Sequence, residues 1–415
     1  MDIRKLAEDN FEYMVRHRRH LHEHPELSGQ EEETVAYICA ELEKLGIEHV
    51  NVPQGGVVGY IYGSQPGKRV LLRADIDALP VEEPENNLAQ KRVCRSQNPG
   101  VMHACGHDAH TAMLLGAAKI LQENRNELRG SVMLVFERGE EGGGNIRYLL
   151  QYFEKEHIHY DSCFGMHVEQ KLDTGTFAVS EGPCDAGSVP IDFKITGRGG
   201  HGSRPDLANN PIDCMRAVMD EIYAIRGKYI SPFDQLTTTI CKVRAGIKGN
   251  IIPDTAEFEG SARYFSPEAA RIFREQLDRI AKTCGEAYNC EVENRGRNRA
   301  GAWPIINDPY ASALAKRAVE QVIGAENWRP TVTTMGSESF SQYCLFAPGC
   351  YGNLGVRTPE KGSGAEIHNQ YFDIDEEAMK VGVSVHVAYA VNFLADDTPI
   401  SFTPKVSSVE EIYKA

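Results

Sequence analysis

Positive charge is in short supply in this chain. Lys and Arg number 44 against 59 Asp and Glu, a formal net charge of −15. That balance argues against nucleic acid and against an anionic membrane surface as partners. Long apolar runs are also missing. No stretch of about 18 apolar residues is read, so no membrane span is expected. Met1-Asp2-Ile3-Arg4-Lys5 begins an amphipathic helical pattern and lacks the apolar core of a signal peptide. The 11 cysteines include no CxxC pair. Their odd number and scattered spacing predict reduced thiols rather than a disulfide framework. These absences make the cytoplasm the expected location. Internal repeats and low-complexity segments are absent too.

What is present suits a soluble α/β protein of two domains. The chain has 415 residues, 41% hydrophobic and 25% charged, enough for a large buried core. Val35, Ile38, Leu42 and Leu45 recur at helical spacing, and Gly46 then stops the helix. Short apolar runs at 57–61, 70–72, 132–136 and 163–168 read as strands. A helix apolar on most faces is expected over about 109–123. Alternation of strands and helices predicts an α/β sheet. From residue 187 the pattern changes. Val189, Ile191, Phe193 and Ile195 alternate as in a strand with one buried face, and the order becomes β-α-β-β-α-β, that of a ferredoxin-like unit. The expected organisation is a mixed-sheet catalytic domain built from residues 1–186 and 299–395. A ferredoxin-like domain, residues 187–298, is inserted in it, and a surface extension, 396–415, follows.

Ligand-type side chains gather just after the expected strands. Met102-His103-Ala104-Cys105-Gly106-His107-Asp108-Ala109-His110 holds three histidines, a cysteine and an aspartate in nine residues. Imidazole, thiolate and carboxylate are the donors that borderline divalent metals take. In open α/β sheets ligands bind at the carboxyl ends of strands. Asp75, Asp77, Cys105, His107, Glu140, Glu141 and His167 could therefore meet in one crevice, with His368 as the best late addition. Two metals about 3.5 Å apart need a bridging ligand, and the Cys105 thiolate is a plausible one. Of the adjacent Glu140 and Glu141, one can bind metal while the other serves as a base. Each signal has a plainer reading. A Glu-Glu pair is usually solvated surface, and a histidine in an apolar strand is often a satisfied core residue. His103 and His110 read as supports or as exposed. His22 and His24 lie in a helix-to-loop segment far from any strand end. Gly142-Gly143-Gly144 lacks the Lys-Ser/Thr of a phosphate loop.

Taken in order, these segments resemble the M20 metallopeptidase family. The branch is that of hippurate hydrolases, N-acyl-amino-acid amidohydrolases and auxin-conjugate hydrolases. The resemblance covers about residues 15–395. It rests on Arg18 to Ser28, Arg73 to Pro80, Met102 to His110, Glu140 to Gly144, Gly165-Met166-His167, Gly197 to Pro205, Asn250 to Asp254, Met335 to Glu338, and His368. It implies an amidohydrolase of N-acyl amino acids with two divalent metals per chain, zinc or manganese first, cobalt or nickel next. Cys105, His107, Glu141, His167 and His368 would be the ligands, with Cys105 bridging. Glu140 would be the general base, and Asp77 would orient a ligand. His201 would stabilise the oxyanion. Asn250 and Arg263 would contact the substrate, although structural pairing of Arg263 is equally open. The inserted domain would act as lid and dimerisation domain in a homodimer or higher homo-oligomer. Two departures stand out: Glu137-Arg138-Gly139 where the family commonly has Gln-Pro-Ala, and Ser339 where it has Asp. Two rival readings remain, a dipeptidase with Glu137 as partner for a free amine, and a non-catalytic binding protein on the same fold.

Overall fold

The computed structural model describes residues 1–142, 144–299 and 301–414; Gly143 of the glycine triplet, Ala300 and Ala415 lie outside the described residues. The chain divides into two compact units, one of residues 1–184, 306–332 and 342–409, the other of 185–305, 333–341 and 410–415.

The first unit is built on an eight-stranded mixed sheet. Its first strands are β1 (Glu48–Val52), β2 (Gly56–Tyr62), β3 (Gln65–Asp75), β4 (Arg129–Glu137), β5 (Ser162–Asp173) and β6 (Phe177–Ala178). Across the sheet the order is β1, β2, β4, β3, β5, the strand Gly349–Arg357, β6, then Trp328–Arg329. The central strands β4, β3, β5 and Gly349–Arg357 run parallel, whereas β1, β2 and β4 alternate in direction. Parallel strands are covered on both faces, so they read as continuous apolar runs. Val70 to Leu72 and Val132 to Phe136 are accordingly fully buried. Helices α1 (Ile3–Asp9), α2 (Phe11–Glu23) and α3 (Glu32–Lys44) precede the sheet; α4 (His107–Glu123) and α5 (Ile146–Lys155) flank β4 in sequence.

The helix Ala378–Ala395 is long and apolar enough, by length and composition alone, to cross a membrane, although Lys380, Ser384, His386 and Asn392 interrupt its apolar run. It is a core helix. Its Val383, Val385, Val387 and Phe393 are fully buried in the same cluster as Met113 and Leu114 of α4. The segment after Asp396 is not merely a surface extension. Val406, Val409 and Ile412 are buried, and the Lys405 amide donates to the Leu345 carbonyl.

In the second unit a four-stranded antiparallel sheet has the order Leu236–Ala245, Thr255–Tyr264, Gly187–Thr196, Glu291–Asn294. Helices Pro211–Tyr229 and Pro267–Tyr288 bury Cys214, Val218, Ile222, Phe273 and Leu277 in one core with Val189, Ile191, Phe193 and Ile195. Helix after first strand and helix after third give the β-α-β-β-α-β order. Beside this sheet, Gly200–His201 pairs with Ile251–Ile252 in a short ribbon.

Candidate functional site

The site grows from the carboxyl ends of β3 and β4, from the N-terminus of α4, and from β5. β3 ends on Asp75, and Asp77 follows two residues later. Pairing of β3 with β5 stops at Arg73 opposite Gly165, so His167 lies two residues past the last pair, level with Asp75 at the end of β3, and β5 itself runs on to Asp173. Gly106 caps α4 at φ +85°, a left-handed conformation that costs glycine little. A Cβ there would come within 2.5 Å of Val168. The tight turn sets Cys105 and His107 on either side of the helix start.

Five of the expected ligands converge. The donor atoms of Cys105, His107 and His167 lie within 4.8 Å of one another, as do those of Cys105, Glu141 and His368, and those of His107, Glu140 and Glu141. Cys105 is common to the first two sets. Two of the three histidines, His107 and His167, have Nδ1 committed elsewhere. His107 Nδ1 is 3.0 Å from Asp77 Oδ1, and His167 Nδ1 donates to the Val168 carbonyl at 2.7 Å. Such bonds fix the tautomer and leave Nε2 for a metal. His167 Nε2 is 3.3 Å from Cys105 Sγ, and His368 Nε2 is 3.0 Å from Glu141 Oε1. His368 has φ +62°, and its amide donates to the Ala104 carbonyl, which ties this late residue to the Cys105 segment.

Asp77 organises the site from beneath. Its Oδ1 faces His107, and its Oδ2 accepts the Glu141 amide at 2.9 Å. Burial opposes its charge, but the His107 and Glu141 bonds hold the Asp77 carboxyl below the usual range. Burial pushes the Cys105 thiol well above its ordinary pKa. For His107, burial is outweighed by Asp75, Cys105 and Asp77, and its pKa stands well above the ordinary value. A divalent cation fits this set, because it supplies the positive charge that a thiolate, two carboxylates and neutral imidazoles need. Glu141 Oε1 is buried and faces His368 Nε2, itself an expected ligand, at 3.0 Å.

Other sequence candidates have different tasks. Asp75, His107 and His110 are close enough to hold an ion. Yet His110 Nδ1 is 2.6 Å from Asp75 Oδ1, and its Nε2 accepts the Val168 amide, so both nitrogens are used. His110 is a support that aligns β5 with β3. His103 is buried, and neither ring nitrogen has a hydrogen-bond partner among the described residues. His22 is buried between Asp108, 2.8 Å away, and Glu83, 2.9 Å away, with Arg18 Nε also 2.8 Å from Asp108. His24 donates Nδ1–H to the His20 carbonyl. The Arg18–His24 segment is thus a buried ionic anchor for the start of α4.

Burial and Arg18 oppose charge on His22, but Asp108 and Glu83 prevail and raise its pKa to about 10. A raised pKa stabilises the fold fully below the unfolded value, about 6.5. That contribution is lost as pH rises through about 10. Urea unfolding between pH 6 and 10 should show stability falling with pH, with a smaller slope in His22→Asn. An equal slope in the two proteins would remove His22 as the source.

Glu137, the residue that the dipeptidase reading offers to a free amine, is fully buried, accepting from Arg73 Nε and from the Tyr343 hydroxyl, each at 3.0 Å. Its pairing leaves it poorly suited to receive a substrate amine. Arg138 is tied to Glu31 and Glu32 at 2.8 Å each. The departure Glu137-Arg138-Gly139 therefore brings its own partners.

His201, Asn250 and Arg263 belong to the second unit. His201 and Asn250 share the short ribbon, where Ile251 pairs with His201 and the Asn250 carbonyl accepts the Gly202 amide. The Ser203 amide donates to His201 Nδ1. That bond leaves the proton of the neutral ring on Nε2, the form able to donate to an oxyanion. Arg263 donates to the Ser337 hydroxyl, so the structural pairing held open for it is present.

Comparison with known proteins gives the class and then the family. The model of peptidase family M20/M25/M40 matches residues 71–392. An Arabidopsis thaliana protein, IAA-amino acid hydrolase ILR1-like 4, is 35% identical over 94% of this chain and 87% of its own length. Thermostable carboxypeptidase 2 of Saccharolobus solfataricus is 35% identical over 94% and 98%. N-acetylcysteine deacetylase of Bacillus subtilis is 34% identical over 91% and 96%. Among solved structures, the Bacillus subtilis YXEP protein, described as a dinuclear metal binding peptidase of the M20 family, superposes with a TM-score of 0.77 at 31% identity, covering 93% of this chain and 99% of that one. The chain is a metal-dependent hydrolase of amide bonds. It belongs to peptidase family M20, on the amidohydrolase branch.

Proposed function

We propose that this protein hydrolyses the amide of N-acyl amino acids, releasing a carboxylic acid and a free amino acid. The observation that carries this reading is the pair of donor sets, Cys105–His107–His167 and Cys105–Glu141–His368, sharing one thiol. Such a pair would hold two divalent ions, zinc or manganese before cobalt or nickel, with Cys105 common to both donor sets. Names among the relatives, an IAA-amino acid hydrolase and an N-acetylcysteine deacetylase, support the substrate class.

Divalent ions, when bound, polarise an amide carbonyl and acidify water. The remaining work falls to side chains. Glu140 takes the proton of the attacking water and hands it to the amide nitrogen as the C–N bond breaks. His201 donates Nε2–H to the carbonyl oxygen as negative charge grows there. Asn250 and Arg263 hold the substrate carboxylate, Arg263 through the guanidinium nitrogens not given to Ser337. The ferredoxin-like unit acts as a lid. Its edge strand Leu236–Ala245, with Phe233 and Ile247 almost fully exposed nearby, supports pairing with a second copy, since such edges are normally covered.

The test is amine release from a panel of N-acetyl, N-benzoyl and N-aminoacyl substrates with each metal added. Preference for N-aminoacyl substrates would move the assignment to a dipeptidase or carboxypeptidase, the reading that the carboxypeptidase relative favours. No release from any of them by metal-loaded protein would defeat both. His201→Ala should lower kcat about 10²–10³-fold, the scale of one lost oxyanion donor, with metal content unchanged. A wild-type rate in that variant would remove His201 from the mechanism.

A further inference from the structure

We infer that residues 28–31 form a cradle that sets the paired-glutamate turn, and that Ser28, Glu31 and Arg138 are positioning residues for the hydrolysis. This rests on the reading of Glu140 as base.

The turn leaves β4 at Glu137, and four of its next five amides are anchored outside it. The Arg138 amide donates to the Gly55 carbonyl at 3.0 Å, Gly139 to Glu31 Oε1 at 2.8 Å, Glu141 to Asp77 Oδ2 at 2.9 Å, and Gly142 to Ser28 Oγ at 2.6 Å. Two of these acceptors, Ser28 and Glu31, come from the short segment between α2 and α3. The Arg138 side chain closes the clamp, giving Nε to Glu31 Oε2 and Nη2 to Glu32 and to the Gly29 carbonyl. Glu31 is fully buried, so its carboxylate depends on these donors.

The same segment grips the other side of the site. The Ala78 amide donates to the Glu26 carbonyl at 2.8 Å, Leu27 bridges Ala78, and the Ser28 hydroxyl bonds the Asp77 carboxylate. Ser28 therefore joins the Gly142 amide to the group that orients His107. The turn has no slack. Gly139 sits at φ +68°, where a Cβ would lie 2.8 Å from Asn145 Cβ, and a Cβ on Gly142 would lie 2.6 Å from Ser28 Oγ. Anchored amides on both sides of Glu140 dictate where its carboxylate points. A misplacement of about 1 Å in a reacting group can cost on the order of 100-fold in rate.

The experiment compares Ser28→Ala, Ser28→Thr, Glu31→Gln and Arg138→Lys holoenzymes. Ser28→Ala and Glu31→Gln should retain full metal content and a KM within about twofold, and lose about 10–100-fold in kcat, the scale for groups that orient active-site ligands. Ser28→Thr, which keeps the hydroxyl, should recover most of the rate, and Arg138→Lys, which keeps the charge but not the fork, should not. Placed on Glu140→Gln, Ser28→Ala should have no further effect, since it acts through that carboxylate. Wild-type kcat in Ser28→Ala and Glu31→Gln beside an inactive Glu140→Gln would overturn the cradle alone. A multiplicative loss in the double variant would overturn it too. Near-normal activity of Glu140→Gln would instead defeat the base assignment on which it stands.

Discussion

Glu140→Gln enzyme will bind metal like the wild type and turn over about 10²–10⁴-fold more slowly, the usual contribution of a general base. The carboxylate has ligand-type neighbours, since its oxygens approach those of Glu141 and the His107 ring within 4.8 Å. Yet the two sets that share Cys105 are complete without it. An amide at position 140 keeps the shape and one acceptor oxygen, but its other edge becomes a donor and it cannot accept a proton at neutral pH. The loss should therefore fall on kcat, with metal content and KM nearly unchanged. Metal analysis of the purified protein and steady-state kinetics on the best N-acyl amino acid decide it. A variant that loses both metal and rate would make Glu140 a ligand, and one that keeps its rate would leave the base unassigned.

Arg73→Met will be destabilised by about 3–5 kcal/mol, the cost of stranding buried carboxylates. Arg73 lies in the core of the sheet at 1% exposure, 2.6 Å from Asp75 Oδ2 and 3.0 Å from Glu137 Oε2, and both carboxylates are fully buried. Met matches the stem but provides no charge. Burial resists ionisation of Asp75, but His107, Arg73 and His110 hold its carboxyl well below the ordinary value. In the wild type that contribution is present above about pH 4, the unfolded value, and disappears as pH falls through the lower folded value. In Arg73→Met the sign reverses for the stranded carboxylates, because protonation relieves them. The stability gap between the two proteins, read from urea midpoints, should narrow as pH is lowered from 7 to 5. Arg73→Met with Glu137→Gln should recover part of the loss. A gap that stays constant with pH would mean that lost packing, not charge, is responsible.

Much of this was legible in the residues. Apolar runs and their period located β2 to β5, α4 and the β-α-β-β-α-β segment, because burial of one face or both imposes those patterns whatever the fold partner. The dense Met102 to His110 stretch marked itself by chemistry that core packing does not call for. His22 shows the other side. Its residue type suits a ligand, its place in a helix-to-loop segment far from any strand end argues against one, and its position between Asp108 and Glu83 shows the ionic anchor it serves instead. His110 and Glu137 are similar cases. Each carries a reactive group whose capacity is taken up by neighbours 35 and 64 residues away in sequence.

The sequence by itself determined the alphabet of this site: thiol, imidazoles, paired carboxylates and the glycines that let the chain turn sharply around them. It also determined the order of elements, since periodicity is local. Only the tertiary structure decided which donor atoms face one another. Asp77 is the reason that His107 offers Nε2, His368 reaches Glu141 across more than 220 residues, and Ser28 and Glu31 hold a turn more than 100 residues further on. Those relations depend on hydrogen-bond geometry within a few tenths of an ångström. Long-range strand order and loop packing set that geometry, and no local pattern encodes it.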